Sequence, residues 1–294
     1  MDKMLMRSLM FVPAHSEKLM ASAAKIDADI LLLDIEDSVQ PLENKQVARD
    51  KAIKYIQEGK FKGRHIFPRI NDRESGQLLK DVTQLSISGV DGFMYPKART
   101  GKDIYFFDKL LETIEYEKGI EIGTYKIIPL IETASAVMNV QSICSASKRV
   151  IAIAYGSEDF ITDLGGIHDN DHQSLFTPRA LIAMGARAQN VIPIDTVHVR
   201  VKDLEDLEEN LKLSIKLGFE GMLVLNPMEL DLVHKYYSPT EEQVKHSQDI
   251  LKYDDEAKQE GKGVAIINGK FIGPPFVAKA KKILLKNELV NKKK

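Results

Sequence analysis

The chain has 294 residues, 44% of them hydrophobic, which is enough for one large domain or two small ones with a sizeable core. Its 41 basic and 43 acidic side chains nearly cancel at a net charge of −2; this excludes the strong field of a nucleic-acid or anionic-membrane binder and leaves small molecules or other proteins as partners. The single cysteine, Cys144, cannot form an internal disulfide, and without a signal-like apolar core or an apolar run of about 18 residues the sequence reads as a soluble cytoplasmic protein.

Eight short β-rich runs follow in order, each trailed by a longer stretch of helical character: SLMFV from Ser8, ILLLDI from Ile30, HIFPRI from His65, GFMY from Gly92, KIIPLI from Lys126, VIAIAY from Val150, DTVHV from Asp195 and GMLVL from Gly221. Eight alternating units predict an α/β fold of the (β/α)8 TIM-barrel type, with an open doubly wound sheet as the alternative. The runs are apolar without alternation, as parallel strands covered on both faces require. Beyond Asn226 and Pro227 the pattern changes. A charged amphipathic helix is predicted from about Thr240 to Glu260, then a type I′ hairpin at Asn268-Gly269, then a helix opened by Pro274-Pro275 and running to about Lys286. The expected division is a barrel over 1–236 and a helix–hairpin–helix extension over 237–294, serving as a lid or an oligomerisation arm. The terminal lysines read as a solvated tail.

Catalytic groups of a parallel barrel gather where the strands end. The second run ends in Glu36 and Asp37, the third carries Arg69 and Asn71, the fourth leads into Lys97, the fifth ends in Glu132, and the sixth delivers Gly156, Ser157, Glu158 and Asp159. Several acids with one arginine and one lysine suit a hard divalent cation and an anionic substrate. Mg2+ takes oxygen ligands, commonly one or two carboxylates, and leaves positions for water and substrate; Glu132 and Asp159 are the candidates. Arg69 is the candidate fork for a carboxylate.

Plainer roles compete with each of these. Glu132, Glu158 and Asp159 could sit at helix N-termini, Arg69 could pair with Asp72 at the surface, and Lys97 could be a charge at a loop entrance. His168 and His172 lie four apart, a zinc-compatible spacing, but their glycine-rich surroundings argue for a loop. Asp163 with Gly165-Gly166 reads as a turn or a flexible segment, and Cys144 falls on the apolar side of a helix. No P-loop, GxGxxG or GxSxG pattern is present.

Through RSLMFVPA, LLLDIEDSV, PRIN, YPKA, IPLIETASAV, AYGSEDFITDLGG, PIDTV, LGFEGMLVLNP, YSPTEEQV and INGKFIGPP, nearly the whole chain resembles the citrate lyase β subunit and the malyl-CoA and citramalyl-CoA lyases of the HpcH/HpaI aldolase superfamily. The resemblance implies a Mg2+-dependent TIM barrel, a trimer or larger homo-oligomer, that cleaves a 3-hydroxy-3-carboxyalkyl thioester of CoA or an acyl carrier protein (ACP) to an acetyl-type thioester and a 2-oxo acid. It places the metal ligands on Glu132 and Asp159 and the substrate arginine on Arg69. Glu36 and Asp37 are implied near the metal, holding its waters or fixing Arg69, with Lys97, Gly156 and Ser157 at the substrate.

Three positions depart from the family pattern. Gly273 stands where an aspartate is expected to protonate the product enolate, Ala14 replaces the usual glycine of FVPG, and Met222 replaces a lysine. Lys18, Lys25 and Arg7 are candidates for a CoA phosphate or for solvated surface. The expected activity is therefore a lyase that uses another acid, such as Asp37, or a water. The alternatives are a metal-dependent aldolase acting on a non-thioester 2-oxo acid adduct, and a non-catalytic 2-oxo acid binding or assembly subunit.

Overall fold

The computed structural model describes residues 4–167, 173–259, 261, 265–267 and 270–293. The chain divides into two compact units, one of Met6–Val233 and one built mainly from His234–Lys294.

In the first unit, eight strands form one parallel sheet: β1 (Ser8–Pro13), β2 (Ile30–Asp34), β3 (His65–Ile66), β4 (Gly92–Tyr95), β5 (Lys126–Ile131), β6 (Ala152–Tyr155), β7 (Ile192–Asp195) and β8 (Gly221–Val224). Their spatial order is β3-β2-β1-β8-β7-β6-β5-β4. The two outer strands of that order are joined through Arg69, which bridges Asp34 on one side and Met94 on the other. Met94 N–H donates to the Pro68 carbonyl at 3.0 Å and Ile70 N–H to the Met94 carbonyl at 3.3 Å, so the sheet curls into a nearly closed barrel. Strands buried on both faces explain the unalternated apolar runs: Leu9, Ile30 to Leu33, Phe93, Ile127, Ile128, Ile153 and Ala154 are almost wholly inaccessible.

Strand limits differ from the sequence reading by one residue at β1, β2 and β8 and by more at three places. β3 stops at Ile66 because Pro68 has no N–H to give the ladder, and pairing resumes only at Arg69. β6 begins at Ala152, with Val150 making only an isolated bridge to Ile127. The seventh strand is Ile192–Asp195, so DTVHV begins where it ends. Pairing decides this against β-branched propensity, because Ile192 to Ile194 lie in register with Ala152 to Ala154.

Several buried charged side chains of this unit are paired. Arg49 Nε donates to Asp81 Oδ1 at 2.6 Å, and Asp81 also accepts from the Asn71 backbone and side chain at 2.7 and 2.8 Å. Arg149 grips Glu115 with two bonds of 2.7 and 2.6 Å, and Arg179 grips Asp195. Arg7, a candidate for a CoA phosphate, is instead buried on Asp29, at 2.9 Å from both Nε and Nη2. Cys144 is buried in the helix Val140–Ser145, as its apolar helical face predicts.

In the second unit, Thr240 opens the helix Glu241–Gln259: its hydroxyl accepts from Gln243 N–H at 3.2 Å while the Gln243 side chain accepts from Thr240 N–H at 3.0 Å. Strands β9 (Ala265–Ile267) and β10 (Lys270–Ile272) pair antiparallel with Ile267 opposite Lys270, while Asn268-Gly269 lies outside the described residues. The last helix, Pro274–Lys293, is longer than predicted. Ile250, Ala257, Ile272, Val277 and Ala280 form its core with the preceding helix. At Gly273, where an acid was expected, the carbonyl accepts from Phe276 N–H at 3.0 Å, so this residue begins the helix. No helix among the described residues is long and apolar enough to cross a membrane.

Removing Asp81 leaves the Arg49 guanidinium buried without its carboxylate. Asp81→Ala should lower the unfolding free energy by about 3–5 kcal/mol, whereas Asp50→Ala, on an exposed partner of Gln46, should change it by less than about 0.5 kcal/mol. Urea denaturation of the two variants measures the difference.

Candidate active site

The site is built from the residues that follow β2, β3, β4, β5 and β6. Asp34, the last residue of β2, organises the turn after it: Oδ1 accepts from Glu36 N–H at 3.0 Å and Oδ2 from Ser38 N–H at 3.2 Å. From behind, the buried Lys45 ammonium donates to the carbonyls of Ile35 at 2.9 Å and Glu36 at 2.6 Å. This turn presents Glu36 and Asp37.

Arg69 carries the pocket's guanidinium. Its Nε and Nη2 donate to the two Asp34 oxygens at 2.8 and 2.7 Å, Nη1 donates to Asp37 at 3.3 Å, and its carbon lies 4.6 Å over the Phe11 ring. Burial works to raise the Asp34 carboxyl, but the charge and hydrogen bonds of Arg69 outweigh it and hold Asp34 below the usual carboxylate range. Arg69 is therefore no surface partner of Asp72. Asp72 binds Lys97 instead, and Arg73 lies over Phe106.

Lys97 occupies the left-handed region at φ 53°, uncommon for a residue with a Cβ. That geometry lets its backbone N–H donate to Glu132 Oε1 at 2.5 Å while its ammonium sits 3.1 Å from both Glu36 and Asp72. Lys97 thus joins two arms of the site, a larger role than a charge at a loop entrance.

Glu132 follows β5 directly and is 2% exposed. Gly156 faces it: a Cβ at 156 would lie 2.9 Å from the Glu132 Cβ and 3.2 Å from Oε2, so glycine is what lets β6 pass so close. Ser157, a predicted substrate contact, is buried, and its hydroxyl is occupied by Thr196 at 2.6 Å and Glu158 at 3.1 Å. Asp159 is exposed in the first turn of the helix Ser157–Leu164 and makes no hydrogen bond or ion pair among the described residues. Asp163, predicted in a turn, lies in that same helix and accepts from Ala134 N–H at 2.7 Å. His168 and His172 lie outside the described residues.

Six carboxylates, those of Asp34, Glu36, Asp37, Asp72, Glu132 and Asp159, thus gather around Arg69 and Lys97. Burial, reinforced by Glu36 and Asp159, pushes Glu132 up to about 8. Burial and Asp37 push Glu36 up to about 7 against Arg69 and Lys97, and burial and Asp37 also raise Asp159. Both Glu36 oxygens lie within ion-pair distance of a cation, Oε2 at 3.3 Å from Arg69 and Oε1 at 3.1 Å from Lys97, yet neither receives a well-angled hydrogen bond. A surplus of buried negative charge with orphaned oxygens is the environment that a hard cation and its waters relieve. Among the described residues no group of three or more His, Cys, Asp and Glu side chains is arranged to hold a metal. An open site with one or two carboxylate ligands, the rest of the shell being water and substrate, is what Mg2+ commonly takes.

Sequence reading brought out Glu36, Asp37, Arg69, Lys97, Glu132, Gly156 and Asp159, which the fold gathers; it gave Asp34 and Asp72 no role of their own in the site and missed Phe11. The readable signal for Asp34 is its place as the one charge ending an otherwise apolar strand.

The fold and this acid-rich pocket define a (β/α)8 barrel with the layout of an enzyme acting on small anions. Residues 7–227 match the HpcH/HpaI aldolase/citrate lyase family, and the chain belongs to that family. It is 31% identical to the citrate lyase subunit beta of Leuconostoc mesenteroides subsp. cremoris, over 96% of this chain and 93% of that one. It is 28% identical to the L-malyl-CoA/beta-methylmalyl-CoA lyase of Cereibacter sphaeroides, over 95% and 92%. The CitE protein of Mycobacterium tuberculosis, solved with magnesium, acetoacetate and coenzyme A, shares the fold at a TM-score of 0.74, with 23% identity over 97% of this chain and 98% of that one.

Two outcomes follow from the geometry. Between the usual carboxyl value of 4.5 and about 8, the folded protein retains a proton on Glu132 that the unfolded chain has lost, so metal-free stability should fall as pH rises through that window. Thermal melting in EDTA should show this slope, and Glu132→Gln should flatten it. Gly156→Ala forces Glu132 aside and should cost about 1–3 kcal/mol while weakening the Mg2+-induced melting shift; an unchanged shift would show that Glu132 tolerates the displacement.

Proposed function

We propose that this chain is a Mg2+-dependent carbon–carbon lyase that cleaves a 3-hydroxy-3-carboxyalkyl thioester, of the citryl, malyl or citramalyl type on CoA or ACP, into an acetyl-type thioester and a 2-oxo acid. The observation that carries this reading is the surplus of buried carboxylate at Glu132 and Glu36 beside an arginine already fixed in its plane. The relatives that span the whole chain are named as citrate and malyl-CoA lyases, and the fold neighbour was solved with magnesium and coenzyme A.

Glu132 and Asp159 would hold the Mg2+, which when bound lowers the pKa of a chelated hydroxyl and polarises the neighbouring carboxylate. Arg69 meets that carboxylate and stabilises the charge that collects there as the carbonyl forms. Lys97 fixes Glu132 through its N–H and Glu36 through its ammonium. Glu36 faces the site with two oxygens able to take hydrogen bonds from ordered water. Asp37, more than half exposed at the edge of the turn, accepts the hydroxyl proton; as the carbonyl forms, the electrons of the breaking carbon–carbon bond leave as the thioester enolate. The same carboxyl returns the proton to the enolate carbon, which restores its starting state and needs no acid at Gly273. Gly156, beside Glu132, lines the 2-oxo acid side, while Ser157, buried with its hydroxyl held by Thr196 and Glu158, supports that edge from behind.

The His234–Lys294 unit serves as a lid or assembly arm, and the protein works in the cytoplasm as a homotrimer or larger homo-oligomer.

Purified protein with Mg2+ should release a free 2-oxo acid from at least one of malyl-CoA, citramalyl-CoA and citryl-CoA. Turnover of none of them, with oxaloacetate or pyruvate still raising the melting temperature in the presence of Mg2+, would favour a binding subunit. Glu132→Ala and Asp159→Ala should each abolish the Mg2+-dependent part of that thermal shift, and an intact shift in either would remove that residue from the metal site.

A further inference from the structure

The Arg69 guanidinium has five N–H groups in a rigid plane. Nε and one N–H of Nη2 are taken by Asp34, and one N–H of Nη1 by Asp37. Nη1 also lies 3.3 Å from Glu36 Oε2, which receives no well-angled hydrogen bond; the N–H groups not taken are on the two terminal nitrogens, whose end-on edge can hold a carboxylate in two parallel bonds. The side-on edge, Nε with Nη2, is the other surface able to do this, and Asp34 closes it. Phe11 covers one face of the same plane at 4.6 Å.

We propose that Asp34 is a positioning residue for the reaction: it occupies the side-on edge of Arg69 so that substrate carboxylate is received end-on, in an orientation set before substrate arrives. The inference rests on the functional reading above. Three observations carry it. Asp34 is 2% exposed, so it acts from behind Arg69 and does not itself touch substrate. Each of its oxygens accepts one bond from Arg69 and one from the backbone of the turn bearing Glu36 and Asp37, so the guanidinium and the two acids share one anchor. The backbone of the turn is tied independently by Lys45 and by Asn71, whose side chain donates to the Ile35 carbonyl at 3.2 Å. The turn therefore has other supports, whereas among the described residues Asp34 alone occupies the side-on edge of Arg69.

Asp34→Asn keeps the shape but offers a single acceptor oxygen and no charge, which frees Arg69 to turn in its plane. With oxaloacetate as probe in saturating Mg2+, titration calorimetry should show a Kd raised by about tenfold or more, as expected when one charge-assisted hydrogen bond is misplaced. The melting shift caused by Mg2+ alone should match wild type. Asp34→Glu should recover part of the affinity, because it restores two acceptor oxygens with an altered reach. Asp29→Asn, which weakens the separate buried pair with Arg7, serves as the control for lost stability alone and should leave the oxaloacetate Kd within about twofold of wild type. Several outcomes overturn the proposal: an Asp34→Asn Kd within twofold of wild type, an equal loss in Asp29→Asn, or failure of both Asp34 variants to fold while Asp29→Asn folds. If wild type itself does not bind oxaloacetate with Mg2+, the functional reading fails before Asp34 is in question.

Discussion

The two bonds between Arg69 and Asp34 are the constraint on which the pocket depends. The backbone of Arg69 joins the two edges of the sheet, pairing with Asp34 on one side and Met94 on the other, while its side chain supplies the pocket's guanidinium. One residue therefore closes the barrel and charges the site. A buried ion pair of this kind repays the desolvation of both partners only with full hydrogen bonding. Here that condition is met by the fork geometry and by the two backbone N–H groups that also bind Asp34.

Around that pair the site is deliberately out of balance. Glu36 and Glu132 are buried where neither is comfortable as an anion, and both carboxyls sit well above their ordinary value. Such an arrangement costs stability in the bare protein and gains it back on binding a cation, since the carboxylates are already gathered and dehydrated when the ion arrives. The close pass of Gly156 and the left-handed backbone of Lys97 are the local concessions that hold Glu132 in place. Unfavourable local features of this kind collect at functional sites because selection acts there on geometry rather than on stability.

The match to the HpcH/HpaI aldolase/citrate lyase family spans residues 7–227, a range that contains every acid of the pocket. Gly273, where the resemblance leads one to expect an acid, serves the start of the last helix through its carbonyl. In the pocket itself, Asp37 is the half-exposed carboxyl beside Arg69.

Much of this was legible in the linear order of residues. Apolar runs, five of them leading into charged residues, announced parallel strands buried on both faces with their functional ends together, and β4 and β5 fall on GFMY and KIIPLI residue for residue. Local pattern misplaced β7, because Thr196 to Val199 have strand propensity but no register to pair in, and it let β3 run on through Pro68. The sequence by itself determined the eight alternating units and which acids and cations finish them, since burial of a strand's length and exposure of its end leave a direct mark on composition. Only the tertiary structure decided who holds whom: that Asp34 takes one edge of Arg69, that Lys97 reaches Glu132 through its backbone, and that Arg7 is buried on Asp29 and not held out for a phosphate. Those pairings join residues about 20 to 35 positions apart, and hydrogen-bond geometry between distant segments is fixed by the closing of the barrel, which no local pattern encodes.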